Sequence, residues 1–257
     1  MIKTWTIQIP QLTGTEQRRA YVYVPNSYKK NRNRRYPVLY MFDGHNVFWD
    51  KHATYGKSWG MKEFMDLSQT EMIIAAVECN HSPDGGRLSE YSPFDFQEKS
   101  LGGDIKGRGK ITMDWLVGTF KREIDRKYPT LPDREHTFIA GSSMGGLMSL
   151  YGVLSRNDVF SRAAALSPSV WFAKSKIEQM IKRANLHGET VIYMDYGSRE
   201  LDNHESMRKE FANVTKMLLD RGVYLNSRIV PGGEHCEASW ERQIPYFMST
   251  LLDDMQG

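Results

Sequence analysis

Residues 137–146 read TFIAGSSMGG, and Gly141-Ser142-Ser143-Met144-Gly145 within them fits the pattern G-x-S-x-G. Thr137 to Ala140 is a strand-like apolar run and Ser143 to Leu154 reads as a helix, so the pentapeptide falls at a strand-to-helix turn. That is the setting a nucleophile elbow needs. The reason is steric. A serine on a strained, sharp turn projects its hydroxyl outward, and glycines two residues to either side let strand and helix approach closely. The helix N-terminus that follows adds a partial positive charge where an oxyanion would form. The competing reading is an ordinary glycine-rich turn, so the partners of Ser143 must be sought elsewhere in the chain.

Working outward, strand-like runs recur on both sides of this turn. Thr4 to Ile9 and Arg18 to Val24 open the chain, followed by YPVLYMF at Tyr36 to Phe42 and MIIAAV at Met72 to Val77. After the turn come RAAAL at Arg162 to Leu166, TVIYM at Thr190 to Met194 and YLNSRIV at Tyr224 to Val230. Short runs apolar on both faces suit parallel strands covered on both sides. Between them lie segments of helical period. Leu116, Phe120 and Ile124 precede a stop at Tyr128-Pro129; Met207, Phe211, Val214 and Leu218 precede Gly222, a natural C-terminal cap; Ala238 to Leu252 also reads as helix. The alternation predicts an α/β fold whose mainly parallel sheet is entered through antiparallel N-terminal strands. With no internal repeat and no linker, residues 1–257 are expected to form a single domain. Asn80 to Lys110 breaks the rhythm, and its Tyr91, Phe94 and Phe96 favour an ordered flap over the site.

Composition narrows the classes. Of 257 residues, 40% are hydrophobic and 25% charged, and 34 basic against 31 acidic side chains leave a net charge of +3. So small a surplus gives no electrostatic footprint for nucleic acid. The densest basic cluster, Arg32, Arg34 and Arg35, reads as a solvated loop. Cys79 and Cys236 form at most one bridge, which excludes a disulfide scaffold. The apolar runs are strand-sized, so no membrane span is expected, and the alternating MIKTWTIQIP lacks a signal peptide's apolar core. A cytoplasmic protein in a reducing compartment is the expectation.

A serine nucleophile needs a base, and where it follows a strand in this way the chain order is serine, acid, histidine. Only His187, His204 and His235 follow Ser143. His187 beside Gly188 fits a helix end and His204 opens a helix, whereas His235 in PGGEHCEASW lies between the last strand and the last helix. It is the favoured base. The acid belongs after the penultimate strand, where YMDYGSRELD offers Asp195, Glu200 and Asp202. Asp195 falls within the strand and would point into the sheet. Glu200, three residues past Gly197, is preferred over Asp202 as the group that fixes the imidazole tautomer.

These segments support a resemblance. AGSSMGGLMSLY and ALSPSVWF, with YMFDGHNVF at Tyr40 to Phe48, GSRE and GGEHCEASW, resemble the esterase family that includes enterochelin esterases, feruloyl esterases and antigen 85 proteins. The resemblance runs from about residue 15 to 250 and implies an α/β-hydrolase fold with helices on both faces of the sheet. It implies Ser143 as nucleophile, His235 as general base and Glu200 as orienting acid, with the backbone N–H groups of His45 and Met144 forming the oxyanion hole. No metal or cofactor is implied.

Trp59, Arg87, Tyr91, Trp171 and Phe172 are the candidate substrate contacts. Trp171 and Phe172 follow a strand at the edge where α/β folds bind ligands, and their rings suit an aryl acyl group. RLSEYSPF resembles a stretch of siderophore-esterase relatives, and Arg87 there would favour an anionic or catechol-bearing substrate. The plainer reading is that Trp171 and Phe172 complete the core and that Arg87 pairs with Glu90. GGDIKGRGK is not a Walker A loop, because Asp104 replaces its first glycine and Ile111 its hydroxyl residue. No H-E-x-x-H or H-x-H pattern points to a metal hydrolase. A serine esterase for small, aryl or siderophore-like esters is therefore expected. An acyltransferase of the antigen 85 type and a non-catalytic binding module on the same fold are the alternatives.

Overall fold

Every apolar run singled out above is a strand of one sheet. The computed structural model describes residues 1–31, 33–98, 103–200 and 204–253. The strands are β1 (Ile2–Gln8), β2 (Gln17–Tyr23), β3 (Val38–Met41), β4 (Ile73–Val77), β5 (Phe96–Glu98), β6 (Gly103–Ile105), β7 (Thr137–Ser142), β8 (Arg162–Leu166), β9 (Val191–Gly197) and β10 (Tyr224–Val230). Eight of them form a sheet in the order β1-β2-β4-β3-β7-β8-β9-β10, while β5 and β6 pair separately. The β1–β2 and β2–β4 pairings are antiparallel and all others in the large sheet are parallel.

The period of two in a strand divides the core between the faces. Ala20 and Val22 of β2, with Ile73 and Ala75 of β4, face helices that include Met144–Ser155, Lys174–Arg183 and His204–Asp220. Tyr21 and Tyr23, with Ile74 and Ala76, face Met61–Ser68 and Ile244–Leu252. Both faces are thus covered, as near-continuous apolar strands require. Among the described residues no helix is long and apolar enough to cross a membrane.

Register decides where the chemistry can lie. Met41 pairs with Ala76, Ser142 with Leu166, Leu166 with Asp195, and Gly197 with Val230. The residues just beyond β3, β4, β7, β8, β9 and β10 therefore emerge along one edge, where ligands bind in parallel α/β sheets. The Asn80–Lys110 segment also carries more structure than its pattern predicts. It contains a short helix, Gly86–Glu90, and the β5–β6 pair. Its return is fastened by the Arg108 N–H on Ser89 O at 2.8 Å and the Gly109 N–H on Ser92 O at 2.7 Å. Tertiary contacts replace periodicity here: a Cβ on Gly107 would lie 2.4 Å from the Phe94 backbone.

Candidate active site

The sharp turn after β7 places Ser143 at φ 57°, ψ −122°. A non-glycine residue there costs of order 1–3 kcal/mol and persists only where the surroundings over-determine it. They do so here. The Ser143 N–H donates to Leu166 O at 2.9 Å, and its carbonyl accepts from Leu147 and Ser169 at 3.0 and 3.1 Å. A Cβ on Gly141 would sit 2.7 Å from the Gly145 backbone, and one on Gly145 would sit 3.1 Å from Phe42 Cβ. Those two glycines let β7, the helix Met144–Ser155 and the loop after β3 close on one another. The Ser143 hydroxyl turns toward Ser169 Oγ at 3.4 Å; among the described residues no direct hydrogen bond joins it to the His235 imidazole. Such contacts are often loose without substrate and tighten in the bound complex.

The acid and the histidine come from the loops after β9 and β10. Gly197 and Gly233 hold these loops together, since a Cβ on Gly197 would lie 2.5 Å from Gly233 O. The Ser198 and Arg199 N–H groups donate across to Val230 O and Gly233 O at 2.9 and 2.8 Å. Glu200 is 1% exposed. Its Oε1 accepts from the Gly197 N–H at 2.8 Å and from the Ser167 hydroxyl, and its Oε2 lies 2.9 Å from His235 Nδ1. Trp240 completes the setting: its ring meets His235 edge-on at 5.2 Å, and its Nε1–H donates to Ser167 Oγ at 3.0 Å. Ser167 and Trp240 lie within the quoted segments ALSPSVWF and GGEHCEASW, but the sequence assigns neither a role. The only sequence signal is their position just past a strand and inside the His235 segment.

Asp195 is buried and turned away from His235. It accepts from the Tyr193 hydroxyl at 2.9 Å and the Ser167 N–H at 3.1 Å. Burial, with Glu200 nearby, pushes its carboxyl up to about 7. Asp202 lies outside the described residues.

The opposite rim is built by the loops after β3 and β4. Asp43 adopts φ 53°, and its N–H donates to Tyr91 Oη at 3.2 Å. Arg87 grips the Asp43 carboxylate with Nε and Nη2 at 2.7 and 2.6 Å. Burial pushes the Asp43 carboxyl up, but the Arg87 guanidinium outweighs it and holds the group below the usual carboxylate range. Glu90, the partner that the plainer reading gives Arg87, instead pairs with Arg18 at 2.6 Å. His45 follows on the same turn, and burial lowers its imidazole below the ordinary histidine range. His45 is the second residue of the short helix Gly44–Asn46 and Met144 the first of the helix Met144–Ser155, where the first N–H groups have no partner within the helix.

A cleft of about 470 Å³ separates the two rims and is lined by Ser143, His235, His45, His81, Arg87 and Trp240 among others. The volume suits a small ligand. Of the expected substrate contacts, Arg87 lines the cleft. Trp59 is 3% exposed and packs on Trp240 and Phe247 with ring centroids 6.0 and 6.1 Å apart. Tyr91 is equally buried, edge-on to Phe42 at 5.0 Å. Trp171 and Phe172 are half-buried outside the cleft lining, and Phe172 stacks on Phe96 at 5.0 Å. Their rings serve packing between elements rather than the cleft wall. Cys236, beside His235, is half-buried.

A mostly parallel sheet covered on both faces, antiparallel at its N-terminal edge and carrying a strained serine turn at its C-terminal edge, defines a protein of the α/β-hydrolase fold. Comparison with known proteins makes this specific. The model of a family described as "Putative esterase" matches residues 13–256, so the chain belongs to that family and is an esterase. It is 23% identical over 203 residues to the uncharacterized protein YbbA of Bacillus subtilis, covering 78% of this chain and 76% of that one. It is also 23% identical over 246 residues to an endo-1,4-beta-xylanase/feruloyl esterase of Xylanibacter ruminicola, covering 91% of this chain but 29% of the relative. Among solved structures, an enterochelin esterase from Shigella flexneri superposes with a TM-score of 0.77 at 15% identity, covering 100% of this chain and 59% of that one.

Proposed function

We propose that the protein hydrolyses carboxylic esters through a Ser143–His235–Glu200 triad and an acyl-enzyme. The observation that carries this reading is the 2.9 Å contact between His235 Nδ1 and Glu200 Oε2, beside a cleft that His235 shares with the strained Ser143. Ser143 Oγ attacks the ester carbonyl while His235 Nε2 takes its proton. Glu200 holds the tautomer that leaves Nε2 free and stabilises the imidazolium that forms. The His45 and Met144 N–H groups receive the oxyanion, each lowering the barrier by on the order of 3 kcal/mol by analogy with other such donors. The alcohol departs with the proton from His235, and water then cleaves the acyl-enzyme by the same steps.

The reading treats residues 1–257 as one domain, with the 80–110 segment as the cover of the site. Its first part, including His81 and Arg87, lines the cleft. Both cysteines are unbridged, which suits a reducing, cytoplasmic compartment. Small, aryl or siderophore-like esters are the proposed substrates, in keeping with the feruloyl and enterochelin esterases the chain resembles. A fluorophosphonate probe is expected to label the native protein and not Ser143→Ala. Absence of labelling would overturn the mechanism. Turnover on acetyl, feruloyl, long-chain and trilactone esters then fixes the acyl group, and product analysis with an added alcohol or sugar separates hydrolysis from acyl transfer.

A further inference from the structure

The rim formed by β3 and β4 carries a cluster of donor atoms that ester hydrolysis does not use. Because these strands run parallel through the Met41–Ala76 register, the residues beyond them emerge side by side. His45, Cys79 and His81 each present one donor atom there, and the three atoms lie within 4.8 Å of one another. The His45 and His81 rings meet edge-to-face at 4.6 Å. His45 is 5% exposed, and its Nδ1 is buried without a hydrogen-bond partner. Its other nitrogen, Nε2, lies 3.0 Å from Thr54 Oγ1. A proton on Nε2 donated to Thr54 leaves the Nδ1 lone pair directed at nothing in the protein. A buried polar group left so is destabilising unless something occupies its open side. Two imidazoles and a thiolate are the donors that a borderline-soft divalent ion selects over the oxygen ligands of Mg²⁺ or Ca²⁺.

We propose that His45, Cys79 and His81 bind a thiophilic divalent cation, Zn²⁺ foremost, and that its binding inhibits ester hydrolysis. The inhibitory half rests on the esterase mechanism above; the binding half does not. On binding, the Cys79 S–H bond breaks, an S–metal bond forms, and the proton passes to solvent. Each imidazole binds through a ring-nitrogen lone pair, any proton held there passing to solvent, and the metal keeps its oxidation state. Three protein ligands leave a tetrahedral ion one open position. Inhibition follows from location. The three residues line the cleft that Ser143 and His235 share, and the residue whose ring binds the ion also supplies a proposed oxyanion N–H.

The test uses tag-free protein stripped of metal and titrated with Co²⁺ as a spectroscopic stand-in for Zn²⁺. One equivalent is expected to produce thiolate-to-cobalt charge-transfer absorption in the near ultraviolet. With only Cys79 and Cys236 in the chain, the band is expected to vanish in Cys79→Ser and persist in Cys236→Ser. His81→Gln changes an exposed side chain and is expected to weaken Co²⁺ binding by about 100-fold or more, since even partners behind a metal ligand are worth 10–100-fold. In parallel, Zn²⁺ is expected to suppress hydrolysis by the native enzyme, and His81→Gln to require at least about 10-fold more Zn²⁺ for the same fractional loss. Absence of the charge-transfer band, or its survival in Cys79→Ser, overturns the site. A normal band with hydrolysis unaffected by Zn²⁺ overturns the inhibition alone. Absence of hydrolysis in metal-free native protein refutes the esterase mechanism and leaves the binding result standing.

Discussion

The two rims of the cleft are built on opposite principles. On the rim formed after β7, β8, β9 and β10, the key polar atoms are tied to neighbours. Glu200 accepts from Gly197 and Ser167 and contacts His235, and Ser167 in turn accepts from Trp240. On the rim formed after β3 and β4, Arg87 grips Asp43 and Glu90 pairs with Arg18, but His45 Nδ1 is left with no partner. The first arrangement holds a reacting geometry fixed before substrate arrives, as electrostatic preorganisation requires. The second leaves donors free to meet something that enters the cleft. The two proposals accordingly assign ester chemistry to the first rim and metal binding to the second.

The sharpest way to break this comparison is to remove the nucleophile. Ser143→Ala is expected to lower kcat by about 10⁵–10⁶ while leaving the thermal unfolding midpoint near that of the native protein. A surviving activity within tenfold of native would move the chemistry off that rim. Glu200→Gln should follow with a loss of about 10⁴, because it permits the wrong imidazole tautomer while nearly preserving shape. If Asp202→Asn instead produced the larger loss on an activated aryl ester, the 2.9 Å contact with His235 would not be the working one.

Trp59→Ala tests the boundary between rim and core. Its burial against Trp240 and Phe247 predicts a stability loss of about 3–5 kcal/mol by urea unfolding, with KM for aryl esters little altered. A large KM change in folded variant protein would return Trp59 to the substrate surface. The smallest effect concerns Asp195, whose carboxyl is pushed from its ordinary 3.8 up to about 7. The sign follows from proton binding: below about pH 4 the native and unfolded states are both protonated there, and only the native state keeps that proton up to about 7. The stability this contributes is fully present at low pH and is lost as pH rises through 7. Asp195→Asn should therefore flatten the decline between pH 4 and 7, by at most about 4 kcal/mol. Parallel stability–pH curves for native and variant protein would contradict this.

Ser143, His235 and Glu200 were legible as candidates because each sits where chain order and strand ends leave few choices. A serine flanked by glycines, a histidine before the last helix and a carboxylate just past the penultimate strand are local signals. The aromatic substrate contacts were less legible. Trp59, Tyr91, Trp171 and Phe172 have composition that suits a pocket and a core equally, and only their neighbours decide between the two. For Arg87 the sequence offers either a substrate contact or a pair with Glu90, three residues away, but the fold brings Asp43 to it and gives Glu90 to Arg18.

The sequence alone determined the alternation of strands and helices, the elbow glycines and the order of the catalytic candidates, because each depends on residues close together in the chain. It also carried enough of the esterase pattern for family membership to be expected and then found. Only the tertiary structure decided what meets across the sheet edge: Ser167 and Trp240 behind Glu200, Asp43 against Arg87, and His45 beside Cys79 and His81. The physical reason is that parallel register brings together residues far apart in sequence. Neither hydrophobic period nor motif spacing records those encounters.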